Sequence, residues 1–136
     1  MNTAMLIKPK SEVSYLYSDM TAAEGLDKFI ETGFTAIPVI DREGLYIGVV
    51  SERDFLYKIL DTGSVSAIGS DGMTLGDLAS VSRFETVYID ADYATLFDKI
   101  ISQNFIPVID SRGIFSGIVT RHDVLIAMEP SSRNIT

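Results

Sequence analysis

At 136 residues, with 46% apolar and 22% charged side chains, the chain has the composition of one globular domain and not that of a disordered segment. Eleven Lys and Arg against nineteen Asp and Glu leave a net charge of −8, which argues against general binding of nucleic-acid backbones. The absence of Cys excludes disulfides, thiolate nucleophiles and Cys-built zinc sites, and a single His, His122, leaves little for a His-based metal cluster, so no metal site is expected.

Met1–Pro9 lacks the basic start and apolar core of a secretion signal, and no run of about 18 apolar residues follows that could cross a bilayer. The expectation is a soluble cytoplasmic protein with no membrane or nucleic-acid partner. A short strand is predicted over Val13–Tyr17. Thr21 followed by Glu24 opens a helix over 21–32, and Gly33 closes it in the manner of a left-handed C-cap. Next come an apolar strand (37–40), the turn Asp41–Gly44, a second strand (45–51) and a helix over 52–61 carrying Phe55, Leu56, Ile59 and Leu60 at helical spacing. Residues 61–72, rich in Gly and Ser, read as a surface connection.

The same order then recurs. Ile37–Leu56 matches Ile106–Leu125 at a constant offset of 69, with ten of twenty positions identical and five more closely similar. Upstream the offset is 71, where Asp27-Lys28-Phe29-Ile30 meets Asp98-Lys99-Ile100-Ile101, so the second copy is two residues shorter before its Ile-Pro strand. A strand over Glu85–Ile89 precedes it, Asp92 caps its first helix, and Asn104 takes the place of Gly33. A final helix covers 121–128, and a frayed tail starts at Pro130. The fold class is α+β: two β-α-β-β-α repeats, over 1–72 and 73–136. Packing about a pseudo-twofold axis would bury the open sheet faces and leave two clefts between the copies.

Two motifs carry the candidate chemistry. Gly48-Val49-Val50-Ser51-Glu52-Arg53-Asp54 and Gly117-Ile118-Val119-Thr120-Arg121-His122-Asp123 both read Gly-x-x-(Ser/Thr)-x-x-Asp across a strand-to-helix junction. A small residue allows close approach to the strand. The hydroxyl and carboxylate suit the paired hydroxyls of a ribose, and the helix N-terminus suits a phosphate. Ser/Thr-x-x-acid is equally a capping box, and both roles can coexist. Arg53, Arg121 and His122 occupy the first helical turn, where the dipole disfavours cations. A bound phosphate would account for them, and so would solvated surface positions. Pro38 and Pro107 mark a strand edge lacking a donor. His122 beside Asp123 forms no credible triad, because adjacent residues at a helix start diverge and Arg53 replaces His122 in the first copy. Catalytic residues are not expected; the pattern points to recognition.

Two in-register copies of (Ile-Pro-Val-Ile-Asp)-x-x-Gly-x-x-x-Gly-x-x-(Ser/Thr)-x-x-Asp, over roughly residues 6–128, resemble tandem cystathionine-beta-synthase (CBS) domains, the pair called a Bateman module, in its free-standing bacterial form. The resemblance implies adenosine-containing ligands (AMP, ADP, ATP, S-adenosylmethionine or cyclic dinucleotides) and, for this chain, a regulatory sensor of an adenine nucleotide: AMP, ADP, ATP or cyclic di-AMP. It also implies a homodimer that signals through an effector protein. It implies one site combining Ser14, Tyr15, Thr35, Ala36, Ile37 and Pro38 with Thr120, Arg121, His122 and Asp123. Backbone at 35–37 would meet adenine, Asp123 and Thr120 the ribose, and Arg121 or His122 the phosphate. A mirror site would combine Val87, Tyr88, Phe105, Ile106 and Pro107 with Ser51, Arg53 and Asp54. The two-residue shortening is expected to remove the counterparts of Thr35 and Ala36, which favours the first site. The alternative is an interaction or dimerisation module with no nucleotide.

Overall fold

Each Ile-Pro strand folds back on the apolar run that follows it, because Asp-x-x-Gly between two β-branched segments supplies both a turn and its fastening. In the computed structural model, which describes residues 3–63, 72–79 and 84–129, β3 (Ala36–Ile40) pairs antiparallel with β4 (Tyr46–Ser51), and β6 (Phe105–Ile109) with β7 (Phe115–Thr120). The two registers coincide: Ala36 faces Ser51 as Phe105 faces Thr120, and both ladders slip one residue before their last pair. The Asp41 carboxylate accepts the amides of Glu43 and Leu45, and Asp110 accepts those of Arg112 and Ile114.

The flanking strands are shorter than expected. β2 (Leu16–Tyr17) and β5 (Val87–Tyr88) pair in parallel only with the last two residues of β3 and β6, Val39–Ile40 and Val108–Ile109. The helices follow their caps. Thr21 accepts the Glu24 amide at the start of α2 (Ala22–Thr32), and Gly33 ends it at φ 71°. Ser51 opens α3 (Glu52–Thr62), Asp92 opens α5 (Tyr93–Ile100), and Thr120 opens α6 (Arg121–Met128). Only Phe55 of α3 is fully buried; Leu56 and Leu60, expected on its apolar stripe, are 59% and 77% exposed. The proposed connection 61–72 lies largely, and the tail from Pro130 entirely, outside the described residues.

The chain forms two compact units that do not follow the division of the sequence at 72/73: residues 14–83 form one, and residues 1–13 with 84–136 the other. Backbone pairing explains the second. Strand β1 (Lys8–Pro9), preceded by α1 (Thr3–Leu6), lies antiparallel on β7, giving the sheet order β1-β7-β6-β5. In the other unit, α4 (Leu75–Ala79) covers the sheet β2-β3-β4. The two covering segments are related by the same offset of 71, Thr3 to Thr74 and Lys8 to Ala79. Equivalent carbonyls hold them: Ala91 accepts the Thr3 hydroxyl (2.6 Å), and Met20 accepts the Leu75 amide (2.8 Å). Each unit has its own core, one around Leu26, Phe29, Val39, Phe55 and Leu75, the other around Leu96, Ile100, Val108 and Val119.

The motif glycines are explained by these segments. A Cβ at Gly48 would run into the Ala79 carbonyl oxygen, and one at Gly117 into that of Lys8. The group approaching each strand is therefore the chain's own backbone. Gly48→Ala should cost about 2 kcal/mol or more, since a buried carbonyl must move. Gly33→Ala, at positive φ but with nothing within 4 Å of the new Cβ, should cost about 1 kcal/mol. Urea unfolding of the two variants checks that order.

Candidate functional site

Both Gly-x-x-(Ser/Thr)-x-x-Asp motifs form helix N-caps, and they differ in what they do with the carboxylate. In the first, the Ser51 hydroxyl accepts the Asp54 amide (3.4 Å), and the Asp54 carboxylate accepts the Ser51 amide (2.8 Å) and hydroxyl (3.0 Å). This is a complete capping box. In the second, Thr120 accepts the Asp123 amide (3.0 Å), but among the described residues the Asp123 carboxylate accepts no hydrogen bond. Asp54 is committed to structure, whereas half-buried Asp123 keeps its acceptor capacity.

The cations at the helix starts also separate. Arg121 does not need a phosphate to explain it. Its guanidinium donates to the carbonyls of Ile100 (3.0 Å) and Ile101 (3.1 Å), at the C-terminal end of α5, where a cation is favoured. This explains how α5 ends without a left-handed residue. Asn104, expected to take the role of Gly33, stands beyond the helix, and Ile101 at the C-cap is right-handed. Exposed Arg53 donates to the Tyr57 hydroxyl (3.1 Å) and lies 5.1 Å from its ring centre. His122 is exposed.

Within one unit the structure brings together segments that the sequence reading assigned to different sites. The Thr35 carbonyl accepts the Glu52 amide (3.0 Å), placing Thr35 and Ala36 beside Ser51 and the start of α3. In the other unit the Asn104 carbonyl accepts the Arg121 amide (2.8 Å), placing Phe105 beside Thr120. The expected loss of the counterparts of Thr35 and Ala36 is thus corrected: Asn104 and Phe105 occupy those positions. The shortening falls instead at the helix ends, since α5 has eight residues against eleven in α2. What changes is size, because half-buried Ala36 is replaced by Phe105, whose ring lies 5.1 Å from that of Phe84.

A second correction concerns Val87 and Tyr88. Their pairing with Val108 and Ile109 makes them equivalent to Leu16 and Tyr17, so the counterparts of Ser14 and Tyr15 are Glu85 and Thr86. Val87 and Tyr88 stand at the far end of β6 from Phe105, Val87 buried and Tyr88 exposed. Ser14 is exposed, and Tyr15 packs edge-on to Tyr17 with ring centres 5.8 Å apart. Ile37, Pro38, Ile106 and Pro107 are buried as whole residues, backbone included. The Thr35 carbonyl faces β4 and the Ile40 carbonyl faces β2, where it accepts the Ser18 amide (2.8 Å). Strand alternation then turns the amide and carbonyl of Ala36 toward the β2 side, beyond Leu16, whose pairing opposite Val39 takes up the Pro38 carbonyl, so the polar groups of Ala36 are left unpaired.

Sequence reasoning missed one arrangement altogether. At the hairpin end of the first unit, the Arg42 guanidinium lies 3.8 Å from the centre of the Tyr17 ring, and its Nε donates to both carboxylate oxygens of Asp19 (3.1 and 2.9 Å). Arg42 holds the Asp19 carboxyl below the usual carboxylate range. The signal was present as a Tyr-x-Asp repeated at the offset of 71, Tyr17-Ser18-Asp19 and Tyr88-Ile89-Asp90. Among the described residues, no group of three or more His, Asp or Glu is placed to hold a metal ion, and no helix is long and apolar enough to cross a membrane.

Two β-α-β-β-α units, each turning from its hairpin into a capped helix, define a tandem-repeat α+β protein. The model of the CBS domain matches residues 7–61 and again 75–130. The chain belongs to the CBS domain family and carries two copies of the domain. It is 27% identical over 108 residues to an uncharacterized protein of Methanopyrus kandleri (MK0525), a match covering 77% of this chain and 52% of that one, so the chain spans about half of its relative's length. The crystal structure of CbpB in complex with c-di-AMP superimposes with a TM-score of 0.86 at 21% identity, over 98% of this chain and 87% of that one. That of CBSX2 in complex with AMP gives 0.74 at 23%, over 93% and 95%. At these identities the likeness is one of fold.

Arg121→Ala should destabilise the protein by about 1 kcal/mol, because two helix-terminal carbonyls lose a charged donor. Arg121→Lys should recover only part of that, since an ammonium lacks the planar fork that reaches both carbonyls. Arg53→Ala should leave the urea midpoint almost unchanged, its partner being exposed on the same helix.

Proposed function

We propose that this chain is a non-enzymatic regulatory sensor that binds an adenine nucleotide through residues of both repeats and reports occupancy to a partner protein. The observation that carries the reading is the difference between Asp54 and Asp123: one carboxylate closes a capping box, while the other accepts no bond among the described residues. Membership of the CBS family supports it, as do solved neighbours of the same fold described in complex with c-di-AMP and AMP.

In this proposal Asp123 and Thr120 receive the ribose hydroxyls, and the backbone of Thr35, Ala36 and Ile37 reads the adenine edge. Ser14, Tyr15 and Pro38 border the base, and His122 faces phosphate, Arg121 being engaged at the end of α5. The mirror set of Ser51, Arg53 and Asp54 with Phe105, Ile106 and Pro107 is the weaker site. Its carboxylate must leave a formed cap to bind, and a ring stands in place of Ala36. The reading includes a cytoplasmic homodimer. A ligand shifts partner contact only by its differential affinity for two states of the protein.

A second reading, an interaction module without nucleotide, is favoured by exposed apolar side chains on α3 and α6: Leu56, Leu60, Leu125 and Ile126. Thermal unfolding with AMP, ADP, ATP, S-adenosylmethionine and cyclic di-AMP decides between them. A ligand at one hundred times its dissociation constant adds about 2.7 kcal/mol, a shift of several degrees. Asp123→Ala should abolish the shift and leave the unliganded melting temperature nearly unchanged. Asp54→Ala should lower the unliganded stability by about 1 kcal/mol through loss of the box. No shift with any of the five compounds would favour the interaction module.

A further inference from the structure

The two repeats end their hairpins in the same backbone arrangement. Ser18 and Ile89 donate their amides to Ile40 and Ile109, and Met20 and Ala91 donate theirs back to the carbonyls of Tyr17 and Tyr88. Gly44 and Gly113 donate to the carbonyls of Asp41 and Asp110, whose carboxylates fasten both turns alike. These matches make Tyr88 the counterpart of Tyr17, Asp90 that of Asp19, and Ser111 that of Arg42. The first unit therefore retains a tyrosine, a carboxylate and the guanidinium they hold. The second retains the tyrosine and the carboxylate but has a serine where the guanidinium originates.

A cavity of about 420 Å³ opens at that point, lined by Tyr88, Ile89, Asp90, Asp110 and Ser111. Tyr88 is 56% exposed, and the Asp90 carboxylate accepts no hydrogen bond among the described residues. Nearby Arg112 does not take the place of Arg42, since its guanidinium pairs with the Asp110 carboxylate (3.1 Å). A tyrosine face and a carboxylate beside it form the complement of a planar cation, which stacks on the ring while donating to the oxygens. The net charge of −8 favours cations over anions at such a surface.

We propose that the pocket of Tyr88, Asp90 and Ser111 binds a guanidinium group supplied from outside the chain, in the way that Tyr17 and Asp19 hold Arg42. The group comes either from an arginine of a partner protein or from a free guanidino compound. This site is separate from the proposed nucleotide contacts and does not depend on them.

The test is an NMR titration of the whole chain with N-acetylarginine amide, methylguanidine and N-acetyllysine amide. Saturable shifts at residues 88–90 and 110–111 are expected with the two guanidinium probes, and weaker ones with the lysine probe, whose ammonium lacks the planar fork. Asp90→Asn should weaken binding roughly tenfold through loss of a charged acceptor. Ser111→Arg should fill the pocket from within and abolish the shifts, and Arg42→Ser should create a second responsive set at residues 17–19 and 41–42. If the arginine amide binds more tightly than methylguanidine, the natural source is a partner's arginine; equal affinity identifies a free guanidino compound. The proposal is overturned if neither guanidinium probe gives saturable shifts, or if Asp90→Asn binds as the parent does. It is also overturned if binding appears only in Arg112→Ala, which would show that the chain's own Arg112 occupies the pocket.

Discussion

In each repeat a backbone carbonyl lies against a glycine of the hairpin, Ala79 on Gly48 and Lys8 on Gly117, and much of the architecture depends on this contact. A side chain at either glycine would push the neighbouring segment away, so β4 and β7 accept that close approach only if the residue has no Cβ. The segment that precedes the second copy covers the first, and the segment that precedes the first covers the second. Each β-α-β-β-α unit thus completes itself with chain that belongs, by sequence order, to the other. A single repeat cut at 72/73 would lack its cover and leave apolar surface open, which couples the two copies through the covalent chain itself.

Duplication also shows how one structural requirement is met in two ways. The helix that leads into the Ile-Pro strand must satisfy its terminal carbonyls. The first copy does so with Gly33 in the left-handed conformation; the second stops three residues earlier and receives the guanidinium of Arg121. The charge at the start of α6 is unfavourable for that helix and favourable for the end of α5, where its donors point, and the second effect prevails because it satisfies two carbonyls directly. The same economy separates the caps: Asp54 is fully used in closing a box, and Asp123, one repeat later, is not.

Much of this was legible in the sequence. The offset of 69, the Asp-x-x-Gly turns, Thr21, Ser51, Asp92 and Thr120 as N-caps, and Gly33 as C-cap are local signals, and local chemistry fulfils them. What escaped notice acts at a distance. Thr3–Lys8 and Thr74–Ala79 share only their threonine, so the repeat they form is one of backbone position and leaves almost no identity to detect. The destination of Arg121, about twenty residues back in the chain, is invisible to spacing. The shift of Val87 and Tyr88 away from the candidate site is a matter of strand register, and a parallel strand of two residues carries too little pattern to fix its own register.

The divergence between the copies is where function is most open to physical reasoning. Buried strand positions Ile37/Ile106, Val39/Val108 and Val50/Val119 are identical, and buried positions on the helices change in size but stay apolar, as Phe29/Ile100 and Phe55/Val124 do. The substitutions that alter chemistry, Arg42/Ser111, Glu52/Arg121 and Arg53/His122, sit at the hairpin turn and the helix start, on exposed chain. A surface position free of packing can exchange a cation for a hydroxyl without cost to the fold, and each exchange leaves one repeat holding what the other lacks. Arg42 fills the place that stands open beside Ser111, and Asp54 makes the bonds that Asp123 forgoes. Arg42 on Tyr17 and Asp19 is thus the pattern from which a guanidinium beside Tyr88 and Asp90 is proposed.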